Sequence, residues 1–301
     1  VTHASAAVVV NPRKVGDIRR ARRLVERVAE SIGMPAPSWH ETTAEDTGAG
    51  QAREALAAGA EVVLAWGGDG TVMSVAEALE GTSAALGVIP GGTGNLLARN
   101  LGIALDAEDA IRTALTGQDR VIDLLDVYLG KGVRRLSSVM CGMGWDAAMM
   151  GASETLKRRV GWGAYAIEGV KHMREQPMRL RLSVDGGPQQ VLYGRTVLVA
   201  NVGTLVGGID LIPEAAADDG LLDVLVIDPS TPWDWMRTTG GILRGKGADG
   251  DPSRTHLVGR EVVVSTAATR GRQVDGDPAS AGHGFRVRLL PDALRVRVPA
   301  R

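Results

Sequence analysis

Residues 67–71 read Gly-Gly-Asp-Gly-Thr, and these residue types at this spacing can hold a phosphorylated ligand. A short apolar run, Val62 to Trp66, predicts a buried strand in front of them. Behind them Val72, Val75, Ala76 and Leu79 mark one face of a helix. The order is strand, glycine turn, helix N-terminus. Glycines let backbone N–H groups come close to an anion, and the helix start adds unbonded donors and the positive end of its dipole. A carboxylate in such a turn repels a bare phosphate. Asp69 therefore points to Mg²⁺ lying between it and the phosphates, as in a nucleoside triphosphate site.

A second glycine turn follows another apolar run. Ala85 to Ile89 leads into Pro90-Gly91-Gly92-Thr93-Gly94-Asn95. Two such turns at strand C-termini face one crevice of an open α/β sheet, where ligands bind. Neither is a dinucleotide fingerprint, because Gly68-x-Gly70 and Gly92-x-Gly94 both lack the third glycine. Asn11-Pro12 ends the first strand and is expected at the same crevice; Thr43, beyond the second strand, is a weaker case. Farther along, Asp218-Asp219-Gly220 between apolar runs is a hairpin signal, and Gln273 to Pro278 reads as another turn. Gly240-x₄-Gly245-Lys246 superficially resembles a P-loop, but Gly247 replaces the Ser/Thr and no strand precedes it, so it reads as a flexible turn. The five histidines show no metal-ligand spacing, and no Ser-His-Asp arrangement is present. Cys141 lies in an apolar stretch and reads as a packed residue. Trp233 and Trp235 fit either a core or an apolar entrance.

The elements that must position these turns alternate in the first part of the chain. Val8 to Val10 is a strand, and a helix runs from Asp17 to Ile32 with Ile18, Ala21, Val25, Val28 and Ile32 on one face and Gly33 as its stop. Arg19, Arg20, Arg22, Arg23 and Arg27 lie mostly off that face, as a solvated surface or an anionic-lipid contact. A strand near Ser38 to Thr42, a helix near Gln51 to Ala58, the two glycine-turn units and a helix from Asp106 to Leu115 follow. This alternation predicts a doubly wound α/β domain over residues 1–122. From about residue 120 the texture is β-rich. Val121–Leu129, Leu136–Cys141, Leu180–Val184, Val191–Ala200, Leu221–Ile227, Glu261–Ser265 and Phe285–Leu290 read as strands, with one helical insert over Glu154–Arg174. A second, sandwich-like domain is expected over 123–290. The last strand, Ala293 to Val298, fits either domain, so segment 291–301 is a candidate to return to the first.

Composition narrows the function classes. The chain has 301 residues, enough for two domains, and 44% of them are hydrophobic, enough for real cores. A formal net charge of −1 gives no basic field for nucleic acid. One cysteine excludes a disulfide framework and fits a reducing, cytoplasmic compartment. No apolar run approaches the ~20 residues of a membrane span, and Val1 to Pro12 lacks the pattern of a secretory signal.

Taken in order, the motifs resemble the diacylglycerol kinase catalytic family, in its soluble bacterial lipid kinase branch. The resemblance rests on Asn11-Pro12, Gly67–Thr71, Pro90–Arg99 (PGGTGNLLAR), Gly144-Trp145-Asp146-Ala147, Gly163-Ala164-Tyr165, Ile212–Val224 with its Asp-Asp-Gly, and Gln273–Asp277. A lone Gly-Gly-Asp-Gly-Thr is shared with nicotinamide-dinucleotide kinases and phosphofructokinases; the ordered set is far more specific. The resemblance implies a two-domain kinase with its active site in the interdomain cleft. It implies ATP held around Asn11, Pro12, Thr43, Gly67, Gly68, Asp69, Gly70, Thr71, Gly92, Thr93, Gly94 and Asn95, with a catalytic Mg²⁺ near Asp69. It further implies a structural Mg²⁺ held by the Asp219 side chain with backbone groups of Ala216 and Leu221, and a general base at Asp277.

Two departures stand out. Asp277 occupies the place of the family's Glu and is one methylene shorter. Leu96 occupies the place of an Asp that links the second glycine turn to the structural metal. The expected function is phosphorylation of a lipid hydroxyl by ATP, with a diacylglycerol-like substrate, in lipid metabolism. Expected partners are a lipid substrate met by peripheral contact at the inner membrane face and no nucleic acid; a homo-oligomer is one option for the assembly. The alternatives are a kinase of a soluble hydroxyl compound such as a dinucleotide, and a nucleotide- or lipid-binding protein without turnover.

Overall fold

The runs of buried valine, leucine and alanine that the sequence places ahead of each glycine turn form parallel strands. A computed structural model describes residues 5–144, 176–205, 209–242 and 251–300. The chain divides into two compact units, Val1–Asp123 with Pro291–Arg301, and Leu124–Leu290.

In the first unit the order is β1 (Ala6–Val10), α1 (Pro12–Val15), α2 (Ile18–Ser31), β2 (Ser38–Glu41), α3 (Ala49–Ala57), β3 (Val62–Gly67), α4 (Asp69–Leu79), β4 (Ala85–Pro90), α5 (Leu96–Asn100) and α6 (Ala107–Thr116). The first residues of β5 (Gln118–Tyr128) and the last of β16 (Asp277–Val298) belong here as well. Strands pair in parallel in the order β2-β1-β3-β4-β16, the last through Arg295↔Ala85 and Val296↔Leu86. All six residues of β3 are buried, as expected of a strand covered on both faces by helices. α2 packs with α6 and α3 with α4. Gly87 lets α6 settle on β4, since a Cβ there would lie 2.6 Å from the Ala114 Cβ. Ion pairing of Arg295 with Asp119 (3.2 Å) and a bond from Arg297 Nη1 to the Gly117 carbonyl (2.7 Å) hold the returning C-terminal strand in this unit.

The strand order puts a switch point between β1 and β3: the chain leaves β1 toward β2 and leaves β3 toward β4. In open α/β sheets, ligands bind at the C-terminal ends of the strands beside that point. Asn11 follows β1 and Gly68 follows β3, so both glycine turns and the Asn-Pro step stand at that edge.

The second unit is antiparallel. It contains the rest of β5, then β6 (Arg134–Ser137), β7 (Met140–Gly144), β8 (Met178–Val184), β9 (Gln190–Gly194), β10 (Thr196–Ala200), β11 (Thr204–Leu205), β12 (Ile209–Asp210), β13 (Leu222–Ile227), α7 (Pro232–Ile242), β14 (Arg254–Gly259), β15 (Glu261–Val274) and most of β16. β15 serves two sets of strands. Its first half pairs with β8, which pairs with β9; its last residues pair with β7, which leads through β10 and β13 to β14. Register shifts between Ser265 and Arg272 mark where the strand bends from one set to the other. One core, including Leu125, Met143, Leu180, Val199, Val224, Val264 and Phe285, fills the space between them, as in a β-sandwich.

Several expectations change in detail. Leu136–Cys141 is two strands, broken at Ser138 and Val139, whose N–H groups bond a side chain instead of a ladder. Val191–Ala200 is also two strands, because β9 pairs with β8 whereas β10 pairs with β7 and β13. Glu261–Ser265 and Phe285–Leu290 are parts of much longer strands. Asp218-Asp219-Gly220 does not close a hairpin: β12 pairs with β11, and β13 pairs with β10 and β14. Gly240 and Gly241 lie within α7, which runs to Ile242, and not in a turn; Gly245 to Gly247 lie outside the described residues, as do Trp145 to Ala147, Gly163 to Tyr165 and the helical insert. Trp233 is neither core nor enclosed, at 68% exposure.

Candidate functional site

One candidate site is built where β1, β3 and β4 end. The Asn11 N–H bonds the Trp66 carbonyl at 2.9 Å and so ties the end of β1 to β3. Its side chain is used at both ends: Oδ1 accepts from the Arg13 N–H (3.1 Å) and caps α1, while Nδ2 donates to Thr71 Oγ1 (3.1 Å) in α4. Asn11-Pro12 is therefore more than a turn. It fixes a single helical turn against the start of the helix that follows the first glycine loop, with Pro12 in the N1 position that needs no N–H.

The two glycine loops touch along their backbones. Gly91 N–H bonds the Gly67 carbonyl at 2.7 Å. A Cβ on Gly92 would lie 2.8 Å from the Gly68 Cα, and one on Gly67 would lie 2.6 Å from the Thr71 Cβ. Asp69 joins the loops through its side chain: Oδ2 accepts from the Asn95 N–H (2.9 Å) and Oδ1 from the Leu96 N–H (2.6 Å). A Cβ on Gly94 would come within 2.6 Å of Asp69 Oδ2, so the second loop needs glycine for this carboxylate to reach its donors. Asn95 has a left-handed backbone, φ 49°, which asparagine tolerates well. Its amide closes the loop on itself, accepting from the Gly92 N–H (3.0 Å) and donating to the Gly92 carbonyl (2.9 Å). Thr93 is exposed at the loop tip. Gly68, the N-cap of α4, makes no side-chain cap, so no side chain competes there for the helix's first donors.

Thr43 follows β2 and is spent locally in part. Its Oγ1 accepts from the Glu45 (3.2 Å) and Asp46 (3.1 Å) N–H groups. Asp46 accepts in turn from Gly48 and Gly50 at the start of α3, and the Gly48 N–H bond above all holds its carboxyl below the usual carboxylate range. Asn11, Gly67 to Thr71 and Gly91 to Asn95 thus form one connected constellation, with Thr43 in its own turn.

A second candidate group lies in the sandwich unit. Asp277 is exposed and opens β16, directly after a tight turn in which Asp275 (φ 49°) and Gly276 (φ 87°) are both left-handed. Such a two-residue Asp-Gly turn matches the twist of the flanking strands. Asp275 is the residue that sequence reasoning undervalued. Its Oδ1 accepts from Ser137 Oγ (2.6 Å) and from the Val139 and Met140 N–H groups (3.0 Å each), and Oδ2 from the Ser138 N–H (3.1 Å). The backbone sits at a turn tip while the carboxylate is enclosed. Burial outweighs the four donors and pushes this carboxyl up to about 6. Gln273 adds a second strap, its Oε1 accepting from the Gly276 N–H at 2.8 Å. The turn that carries Asp277 is therefore pinned from both sides. The only sequence signal for this was the Asp-Gly pair itself.

The Asp219 segment precedes β13. Asp219 Oδ1 accepts from the Leu221 N–H (3.0 Å) across Gly220, whose φ is 74°. The buried Arg254 donates to the Leu211 carbonyl at 2.7 Å and anchors the start of this segment. Leu96, in the first unit, is 95% buried, an apolar side chain in the place of the expected carboxylate. Among the described residues no group of three His, Cys, Asp or Glu side chains could hold a metal ion. For the structural ion, the Asp219 carboxylate with backbone groups of Ala216 and Leu221 is a thin donor set for Mg²⁺. No described helix is long and apolar enough to cross a membrane.

Comparison with known proteins matches these two parts separately. Residues 5–127 match the diacylglycerol kinase catalytic domain, and residues 138–298 match the YegS C-terminal NAD kinase beta sandwich-like domain. A Pseudomonas aeruginosa protein named "Probable lipid kinase YegS-like" is 37% identical over 256 residues, 82% of this chain and 80% of that one. A protein of the same name from Pseudomonas savastanoi pv. phaseolicola is 33% identical over 261 residues, 84% of this chain and 82% of its own. In three dimensions the fold matches a structure described as a diacylglycerol kinase from Bacillus anthracis. That match has a TM-score of 0.75 at 19% identity and covers 99% of this chain and 98% of the other. The α/β unit with its paired glycine loops and the sandwich with its pinned Asp-Gly turn are the two halves of one family, and this chain belongs to it: the YegS-like members of the diacylglycerol kinase catalytic family.

Proposed function

We propose that this chain transfers the γ-phosphate of ATP to the hydroxyl of a diacylglycerol-like lipid. The observation that carries the reading is the pair of glycine loops locked together by Asp69 at the sheet's switch point. A Cβ at Gly92 or Gly94 would force the two sides of this cradle apart, and the start of α4 is left uncapped beside it. Such a cradle suits a polyphosphate. Asp69 is the residue that would hold Mg²⁺, which would neutralise phosphate charge during transfer; Mg²⁺ commonly takes one or two carboxylates plus substrate phosphates.

In this reading the chain's own groups do three things. The loop N–H groups and the α4 start bind and orient the triphosphate. Asn11 and Asp69 keep that geometry preorganised, so no reorganisation is needed as charge develops. Asp277 accepts the proton of the lipid hydroxyl as that oxygen attacks the γ-phosphorus and ADP leaves. The shorter side chain of Asp277 is compatible with this, because a base contributes about 10²–10⁴-fold while phosphoryl transfer depends largely on positioning and charge. Family membership supports the lipid class of acceptor, since the relatives matched over about four-fifths of the chain are named as lipid kinases. Peripheral contact with a bilayer follows from that substrate.

The test is competition between acceptors. The purified chain is given labelled ATP and Mg²⁺ with diacylglycerol in mixed micelles, with a nicotinamide dinucleotide, or with both. Label in phosphatidic acid alone supports the proposal. Label in the dinucleotide, or ATP binding with no transfer to any lipid, refutes it.

A further inference from the structure

Lys14 sits on the single turn α1, between the Asn-Pro step and the arginine-rich helix α2. Its Cε comes within 3.8 Å of the point where a Cβ on Gly68 would stand, which puts its ammonium, one bond from that carbon, beside the first glycine loop. Among the described residues beyond its chain neighbours, only the Gly92 Cα also approaches that point within 4 Å. Lys14 is exposed and, among the described residues, has no carboxylate within salt-bridge distance.

Its placement is not that of a loose surface lysine. α1 is capped by Asn11 Oδ1, and the same amide donates to Thr71 one turn into α4. The Lys14 N–H bonds the Asn11 carbonyl at 3.0 Å. Gly16 (φ 77°) ends the turn with its N–H on the Pro12 carbonyl, 3.1 Å away. The backbone of Lys14 is thereby fixed to the helix whose start forms the cradle. A lysine in this position meets a loop that already presents backbone donors, and the one carboxylate of that loop, Asp69, has both oxygens engaged by Asn95 and Leu96. A cation with no carboxylate partner among the described residues, beside a set of anion donors, is complementary to a polyphosphate.

We propose that Lys14 is a nucleotide-binding residue whose ammonium pairs with the polyphosphate of ATP held on the glycine loops. This rests on the function proposed above and adds a contact that the glycine motifs do not contain. A charge-assisted bond to phosphate is commonly worth enough to change affinity by about 10-fold or more. The effect must grow with the number of phosphates on the ligand and shrink with added salt, because it is a charge interaction at an exposed side chain.

The experiment measures calorimetric affinities of ATP, ADP, AMP and adenosine, with Mg²⁺ present, for the unsubstituted chain, Lys14→Met and Lys14→Arg. Lys14→Met is expected to weaken ATP and ADP about 10-fold, weaken AMP less and leave adenosine unchanged. Lys14→Arg is expected to keep most of the affinity. Thermal melts of the variants check that the exposed substitution leaves the fold intact. If the unsubstituted chain binds ATP and Lys14→Met binds it equally well, or loses ATP and adenosine in the same proportion, the role of Lys14 is refuted while the kinase reading stands. If the unsubstituted chain binds no ATP, both fall.

Discussion

Replacing Gly92 with alanine tests the contact between the two glycine loops directly. The new Cβ would lie 2.8 Å from the Gly68 Cα, against an ordinary contact of at least 3.4 Å, so the backbones must part by about 0.6 Å. Neither side offers a flexible end that can swing away, because the contacted atom is backbone. The same Cβ would stand 3.1 Å from Asn95 Oδ1, which accepts the Gly92 N–H and closes the loop. Overpacking of this kind costs about 1–3 kcal/mol. The functional cost follows from geometry: an offset near 1 Å at a transfer site is worth about 10²-fold, so ~0.6 Å predicts a loss of roughly 10- to 10²-fold in kcat/KM. The assay is transfer from labelled ATP to diacylglycerol, with a urea melt on the same sample. Gly92→Ala with unchanged kcat/KM and unchanged urea midpoint would refute the argument that the loops touch and that their spacing sets the rate.

Gly70 offers the complementary case. Among the described residues nothing outside its own helix backbone and chain neighbours lies within 4 Å of a Cβ there, and the residue is in the first turn of α4, so Gly70→Ala should stabilise the fold by up to about 1 kcal/mol. If the open space belongs to the nucleotide, ATP affinity should nonetheless fall at least several-fold by calorimetry; unchanged affinity would mean that the phosphates do not pass there. Asp275 makes a prediction about pH. Its carboxyl rises from an ordinary value near 4 to about 6 on folding, so between those values the folded chain holds a proton that the unfolded chain has released. This group's contribution to stability is full below pH ~4 and is lost as pH rises through 6, by about 3 kcal/mol. Urea melts of the unsubstituted chain minus Asp275→Asn should show that decline; a difference that rises with pH over the same range would contradict it. For Asp277, replacement by glutamate should keep most of the transfer rate; a variant as inactive as Asp277→Ala would argue against a proton-accepting carboxylate at this position.

Much of this architecture was readable in the residues, and the parts that were not have identifiable causes. The α/β unit carries its own punctuation. Buried runs such as Val62–Trp66 stop at glycine turns, and the helix from Ile18 keeps Ala21, Val25 and Val28 inside, so element type and order follow from local pattern. The sandwich was blurred for the same kind of reason. Val191 to Ala200 is one apolar run, but the two strands within it serve different partners, a distinction made by tertiary pairing alone. Ser138 and Val139 carry no break signal; the break comes from Asp275, more than a hundred positions away, taking their N–H groups. At the site, glycines announced the two loops, yet their mutual clasp through Asp69 depends on Asn95 and Leu96 backbone N–H groups that any residue but proline would supply. Lys14 had no motif at all, because its role depends on where Asn11 anchors a single helical turn.

The proposed function gives the glycine loops the triphosphate to hold and Asp277 the proton of the lipid hydroxyl to accept. Transfer of the γ-label from ATP into total membrane lipid, measured beside ATP affinity for the unsubstituted chain and Asp277→Ala, tests it most directly. The account predicts label in the organic phase for the unsubstituted chain. It also predicts that Asp277→Ala keeps ATP affinity within about 2-fold while its transfer falls by roughly 10²–10⁴-fold. Equal transfer by the two proteins, or label found only in a water-soluble acceptor, would contradict it.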